Sequence, residues 1–189
     1  MTAGLSQRAF AAAVLATATS GSVRADDGWA ALARPGAVAV MRHALAPGTG
    51  DPADFTLGDC RTQRNLDARG RAQARAIGAA FRARGIAVDG VYTSRWCRCR
   101  ETADLLDLGP PEALPALDSF FRDRSTRDAQ TRALRTFLAG RPADARLVLV
   151  THSVNIRALT GRGVRSGEIV VLQRVGDGVE VRGGIRIPA

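Results

Sequence analysis

Two short runs, A-V-A-V-M at Ala37–Met41 and L-V-L-V inside Arg146–Thr151, are apolar at nearly every position and lack polar alternation. A strand with no polar face must be covered on both sides, so each run predicts a buried strand in a layered domain. Both runs stop abruptly at polar residues. The first is followed by Arg42 and His43, the second by His152, and these are the only two histidines in the chain.

The segments between the runs read as alternating helices and strands. Gly28 to Arg34 is a short helix ended by Pro35-Gly36. A long Gly-, Pro- and Asp-rich loop fills Ala44 to Arg64, a length that usually signals function. Asp67 caps a helix running to about Arg84, with Ile77 and Phe81 on its apolar face and Gly85 after it. A strand at Val88–Tyr92 leads into a helix at Arg95–Asp107, and Leu114–Leu117 reads as a further short strand. Thr126–Ala139 is helical, and so is Val154–Leu159 after the second buried run. The end of the chain, E-I-V-V-L-Q-R-V-G-D-G-V-E-V-R, reads as a hairpin turning near Asp177-Gly178. Strand and helix in alternation imply an α/β layered domain on a largely parallel central sheet.

Such sheets bind ligands beyond the carboxyl ends of their strands. If the strands are neighbours, His43, His152, Ser94 and Arg98 meet on one sheet edge beside helix N-termini, which add free N–H groups and a positive field. Two imidazoles and several guanidiniums there form a pocket for a phosphate. An imidazole with one nitrogen held by an acceptor is a competent nucleophile at the other. Arg42 and Arg98 can offset the phosphoryl charge that would repel it, and a protonated His152 would add a donor. No cofactor is required, and the sequence offers no evident metal-ligand set.

The 189 residues suffice for one domain, and the formal net charge is +9 with arginine as the only basic side chain other than histidine. The arginines are spread along the chain and are not interleaved with aromatics, which argues against a nucleic-acid partner. Arg8, the apolar stretch F-A-A-A-V-L-A-T-A-T and the small-x-small ending V-R-A describe a secretory signal peptide, residues 1–25, cleaved after Ala25. The stretch falls well short of the ~20 residues that span a bilayer, so stable membrane insertion is not expected. The mature domain, residues 26–189, is expected to be periplasmic or secreted. An oxidising compartment permits a disulfide among the three cysteines, in which Cys60 would pair with Cys97 or Cys99; the alternative is three small buried apolar residues.

Four segments, in order, resemble the histidine phosphatase (phosphoglycerate mutase-like) superfamily. M-R-H-A at 41–44 resembles its R-H-G signature. N-L-D-A-R-G-R-A-Q-A at 65–74 is similar to its L-T-x-x-G-x-x-Q-A segment. S-R-W-C-R-C-R-E-T-A at 94–103 resembles its S-P-x-x-R-A-x-x-T-A. V-T-H-S-V-N-I at 150–156 resembles the segment around its second histidine. The resemblance implies a three-layer sandwich, with a mostly parallel mixed sheet between helices. It implies transient phosphorylation of His43, and it places Arg42, Arg98 and His152 around the phosphate. Arg95 falls on the family's proline position. Ala44 stands where the family has glycine, and Asp67 where it has a helix-capping threonine.

The family's glutamate acid has no evident counterpart. Asp118 is the best candidate for protonating the leaving group, with Asp123 and Glu168 as weaker ones. The expected function is that of an exported, metal-independent phosphomonoesterase working on a small-molecule or glycan phosphomonoester. The alternatives are a non-catalytic phosphate-binding module, and a phosphatase specific for a phosphorylated protein or envelope glycan, selected by loop arginines Arg61 and Arg64.

Overall fold

The computed structural model describes Met1, residues 25–176 and residues 178–189. The expected leader lies almost wholly outside the described residues. Among the described residues five α-helices and six strands follow in chain order: α1 (Ala25–Leu32), β1 (Ala37–Arg42), α2 (Ala68–Ala83), β2 (Gly90–Thr93), α3 (Cys97–Leu106), β3 (Pro111–Ala113), α4 (Arg127–Ala139), β4 (Leu147–Thr151), α5 (Ser153–Thr160), β5 (Ile169–Val175) and β6 (Gly178–Ile185). Among the described residues no helix is long and apolar enough to cross a membrane.

The strands form one sheet in the order β3-β2-β4-β1-β5-β6. The first four are parallel to one another, whereas β5 is antiparallel to β1 and β6 to β5. The sheet is therefore mixed, with the two apolar runs β1 and β4 side by side at its centre. Their alternate residues feed two separate cores. Ala37, Ala39, Met41, Val148 and Val150 pack with Ile77 and Phe81 of α2 and Leu106 of α3. Val38, Val40, Leu147 and Leu149 pack with Leu134 and Leu138 of α4 and Ile156 of α5. Every one of these strand residues is buried, which is the physical reason neither run could carry a polar face.

Helix α2 starts as expected, with the Asp67 carboxylate accepting from the Gly70 backbone N–H at 2.7 Å. The expected strand at Leu114–Leu117 is instead a 3-10 turn (Pro115–Leu117), and the edge strand lies just before it at β3. Pro115 has no N–H to give to a ladder. The N–H groups of Leu117 and Asp118 turn back to the carbonyls of Leu114 and Pro115. Arg95 and Trp96, expected inside α3, precede it. The closing hairpin forms, with β6 running on to Ile185.

Helices α2 and α3 cross at Gly78, where an added methyl would drive into the backbone carbonyl of Leu106. Gly78→Ala should therefore lower unfolding free energy by about 1–3 kcal/mol in urea titrations. Gly140→Ala, whose methyl would meet Thr136 O only at 3.6 Å, should be near neutral.

Candidate active site

The parallel register brings the strand ends level. Arg42 of β1 pairs with Thr151 of β4, and Thr93 of β2 pairs with Val150. One step further along lie His43, His152 and Ser94, three of the four residues expected at this edge. Arg98 joins them from the first turn of α3. The imidazole rings of His43 and His152 stand 5.6 Å apart at 67°.

His43 is almost fully buried, and its backbone N–H donates to Thr151 O at 2.9 Å. Its Nδ1 lies 2.8 Å from the carbonyl of Ala44, an acceptor only, so Nδ1 carries the proton and Nε2 keeps its lone pair. The Ala44 N–H donates to the Thr102 hydroxyl at 3.0 Å, and that hydroxyl donates to Arg98 O at 2.7 Å. Helix α3 thereby fixes the backbone that orients the ring.

His152 sits at the N-cap of α5. Its Nε2 is 2.9 Å from Ser94 Oγ, and Ser94 Oγ is 3.3 Å from Asp118 Oδ1. The carboxylate only accepts, so the serine hydroxyl donates to it and accepts from His152 Nε2–H. That leaves Nδ1 unprotonated, 3.5 Å from Arg98 Nη2. The Cys99 thiol also packs at 3.5 Å from Nε2, and burial pushes it up to about 12, so it stays neutral.

Asp118 is placed differently from the expectation. Its carboxylate accepts from Arg95 N–H at 2.8 Å and Nε at 2.7 Å, and it forms an ion pair with Arg95 Nη2 at 2.6 Å. It does not line the hollow between the histidines. A carboxylate whose oxygens are taken up by these donors, and which does not line the hollow, is poorly placed for proton donation. Its contact with Ser94 makes it a support for His152. Asp123 is exposed and binds Ser125, and Glu168 accepts from the Arg165 N–H; neither lines the hollow.

The hollow has a volume of about 100 Å3. His43, His152, Arg42, Arg98, Arg64 and Asp51 converge on it. Sequence reading treated Arg64 only as a loop arginine for substrate selection, and it missed Asp51. Arg61, named with Arg64, points to solvent and pairs with Asp59. The long loop is pinned over α3 by the Cys60–Cys97 disulfide. Gln63 Oε1 accepts from the Cys97 N–H at 3.0 Å, and Phe55 stacks on Trp96 with centroids 5.2 Å apart. On the chain-entropy account, a bridge spanning 37 residues destabilises the unfolded chain by about 4 kcal/mol.

Positive charge dominates the hollow. Burial and the Arg98 charge lower the pKa of Arg42, and burial with Arg98 pushes Arg64 down to about 10. The buried Nε atoms of Arg42 and Arg98 have no hydrogen-bond partner. Both histidines are held well below the ordinary imidazole range, His43 by burial and Arg98, and His152 by burial, His43 and Arg98. Among the described residues that line the hollow, only Asp51 counters this field, with its oxygens 2.6 and 3.1 Å from Arg98 Nη1 and Nη2. Among the described residues, no three His, Cys, Asp or Glu side chains gather as a metal-ligand group.

An α/β sheet whose strand ends present two facing imidazoles within a ring of arginines offers the charge and donors that an oxyanion such as a phosphoryl group requires. The family model for the histidine phosphatase superfamily (branch 1) matches residues 39–123, which contain Arg42, His43 and Arg98. That segment of the chain is similar to the histidine phosphatase superfamily. Solved structures share the fold. The SixA protein of Agrobacterium tumefaciens aligns with a TM-score of 0.58 at 18% identity, covering 81% of this chain and 99% of its own. The protein histidine phosphatase SixA, solved with tungstate, gives 0.52 at 19%, covering 79% and 96%. TTHB049 from Thermus thermophilus gives 0.53 at 22%, covering 77% and 98%. No curated protein matches the chain in sequence.

Because folding holds both rings neutral, the unfolded chain binds more protons below the free imidazole pKa of ~6.5, and stability must fall as pH drops through that value. Ring-proton NMR of the free protein should show neither histidine titrating near 6.5. Adding inorganic phosphate, whose charge offsets the arginines, should move the His152 titration upward. A His152 that titrates normally and ignores phosphate would contradict this electrostatic picture.

Proposed function

We propose that the protein hydrolyses phosphomonoesters through a phosphohistidine at His43 Nε2, without a metal ion, after export from the cytoplasm. The carrying observation is the pairing of a free, buried His43 Nε2 lone pair with a hollow of mutually repelling cations. Arg42, Arg64 and both imidazoles each resist protonation in the presence of the others. An oxyanion entering the hollow relieves that repulsion, and the effect grows as charge develops on the transferring group.

The ester binds with its phosphoryl oxygens toward Arg42, Arg64 and Arg98. His43 Nε2 attacks phosphorus, and the Ala44 carbonyl holds the Nδ1 proton as the ring gains positive charge. Next to the dianion His152 takes up a proton on Nδ1 and donates it as a hydrogen bond to an equatorial oxygen. Ser94 and Asp118 hold the ring for this step. Water then attacks the phosphohistidine and releases phosphate. Three cationic side chains and two imidazoles do the work assigned elsewhere to a metal, which supports the metal-independent reading.

The leaving group lies outside the hollow. About 100 Å3 is far below the ~300–1,000 Å3 that encloses a drug-sized ligand. A groove of about 520 Å3 adjoins it and shares Arg42, Ser153 and Val154. Its apolar floor includes Phe120 and Val164, and Arg124, Arg127 and Arg157 also line it. This supports a substrate whose remainder is itself anionic, such as a multiply phosphorylated small molecule or glycan. The export reading rests on the N-terminal sequence and is supported by the Cys60–Cys97 bridge, which suits an oxidising compartment.

The test is chemical trapping. Brief exposure to a radiolabelled phosphomonoester should leave acid-labile label on His43, with turnover unaffected by chelators. His43→Ala should lower kcat/KM by about 10³-fold or more. Phosphate binding with neither label nor turnover would replace this reading with that of a binding module.

A further inference from the structure

We propose that Asp51 is the proton donor to the leaving group and then the base for the attacking water. The inference rests on the phosphohistidine route above. Among the described residues that line the hollow, Asp51 is the only carboxylic acid. The other lining groups with exchangeable protons are arginines, hydroxyls, Trp96 and the two histidines. His43 is committed to phosphorus, and His152 to an equatorial oxygen through Nδ1, its Nε2 being held by Ser94.

The resting contacts of Asp51 are those of a carboxylate held until it is needed. Oδ1 takes Arg98 Nη1 at 2.6 Å and the Arg64 N–H at 3.2 Å. Oδ2 takes Arg98 Nη2 at 3.1 Å and Trp96 Nε1–H at 3.0 Å. Burial alone would raise its pKa, but the hydrogen bonds and charge of Arg98, with the bonds from Trp96 and the Arg64 N–H, outweigh burial and hold it low. Both side chains of this ion pair are nearly sealed from solvent. Arg98 is therefore in the bidentate grip of one anion in the very hollow meant for another.

A phosphoryl group cannot use the terminal nitrogens of Arg98 without loosening that grip. When it does, Asp51 loses its main counter-charge and gains a dianion as a neighbour. Two anions so close cannot both remain ionised, and the carboxylate becomes the proton acceptor. The proton comes from solvent, or from the ester itself, whose second ionisation has a pKa near ~6. The Arg98 exchange thus couples substrate arrival to arming of the acid. The loop that carries Asp51 has positive-φ glycines at Gly48 and Gly50, and it is anchored downstream by Cys60. This tether keeps the carboxyl group at the hollow when Arg98 lets go.

The atoms balance. The His43 Nε2 lone pair forms the N–P bond as the P–O bond breaks. The bonding pair goes to the leaving oxygen, which takes the proton from Asp51. Water then adds to phosphorus, the N–P pair returns to Nε2, and the Asp51 carboxylate accepts the water proton. The net change is ester plus water to alcohol plus phosphate.

The decisive experiment compares leaving groups. p-Nitrophenolate departs without protonation, whereas an alkoxide does not. With Asp51→Asn, kcat/KM for a simple alkyl phosphate should fall at least about 30-fold further than for p-nitrophenyl phosphate, within the 10²–10⁴-fold range of general acid catalysis. Asp51→Glu should restore part of the alkyl activity. Equal loss on both substrates would reduce Asp51 to a positioning partner of Arg98 and overturn the proposal, as would no loss on the alkyl ester. Should both variants unfold, the wild-type enzyme still decides. Its kcat/KM across a series of aryl phosphates should depend only weakly on leaving-group pKa, and a steep dependence would refute an acid. The pH profile of the alkyl reaction should fall on its alkaline side as Asp51 loses its proton in the complex. The groups facing Asp51 there are Arg98, Arg64, Arg42, Arg122 and the two histidines. Failure of the phosphohistidine route itself would show separately, as absent label on His43.

Discussion

The parallel alignment of β1, β4 and β2 is the constraint on which the rest depends. Because Arg42 is level with Thr151, and Thr93 with Val150, each strand ends one residue before a side chain of the candidate site. A shift of one residue in either pairing would turn His43 or His152 toward the opposite face of the sheet. The double burial of β1 and β4 enforces that register. Their alternate residues fill two different cores, and a slipped strand would mismatch both.

On that frame the site is a problem in electrostatics. Four arginines and two imidazoles line one hollow and, among the described residues, a single carboxylate lies between them. Burial and mutual repulsion keep both histidines and two of the arginines short of their ordinary proton affinity. The folded protein therefore stores a demand for negative charge that Asp51 meets only in part. Loop closure makes this arrangement durable. The Cys60–Cys97 bridge, the Gln63 cap and the Phe55–Trp96 stack hold the loop against α3 at three separate points.

Much of this was legible in the sequence, for identifiable reasons. Runs without polar alternation can only be interior strands, so β1 and β4 and the histidines at their ends could be read directly. Asp67 before an amphipathic stretch announced α2. Local spacing failed where long-range contacts decide. Leu114–Leu117 has strand-like residues, but Pro115 removes a ladder donor and the edge strand forms just before it, at β3. Asp118 looked like a catalytic acid because it ends that stretch, yet Arg95 and Ser94 claim its oxygens. Asp51 gave no signal, since it sits in an irregular loop 47 positions before Arg98, and only folding makes them a pair. The cysteines narrowed the bridge to two pairings. The choice of Cys97 follows from its place at the first residue of α3, where the loop lies against it, whereas Cys99 turns inward toward His152.

A crystal structure of the protein with a tetrahedral oxyanion such as orthovanadate tests the central claim most directly. The account predicts the anion in line with His43 Nε2, with Arg42, Arg64 and His152 Nδ1 on its equatorial oxygens and Arg98 turned from Asp51 onto the anion. An anion bound away from the two imidazoles would contradict it, as would His43 Nε2 directed away from the bound group.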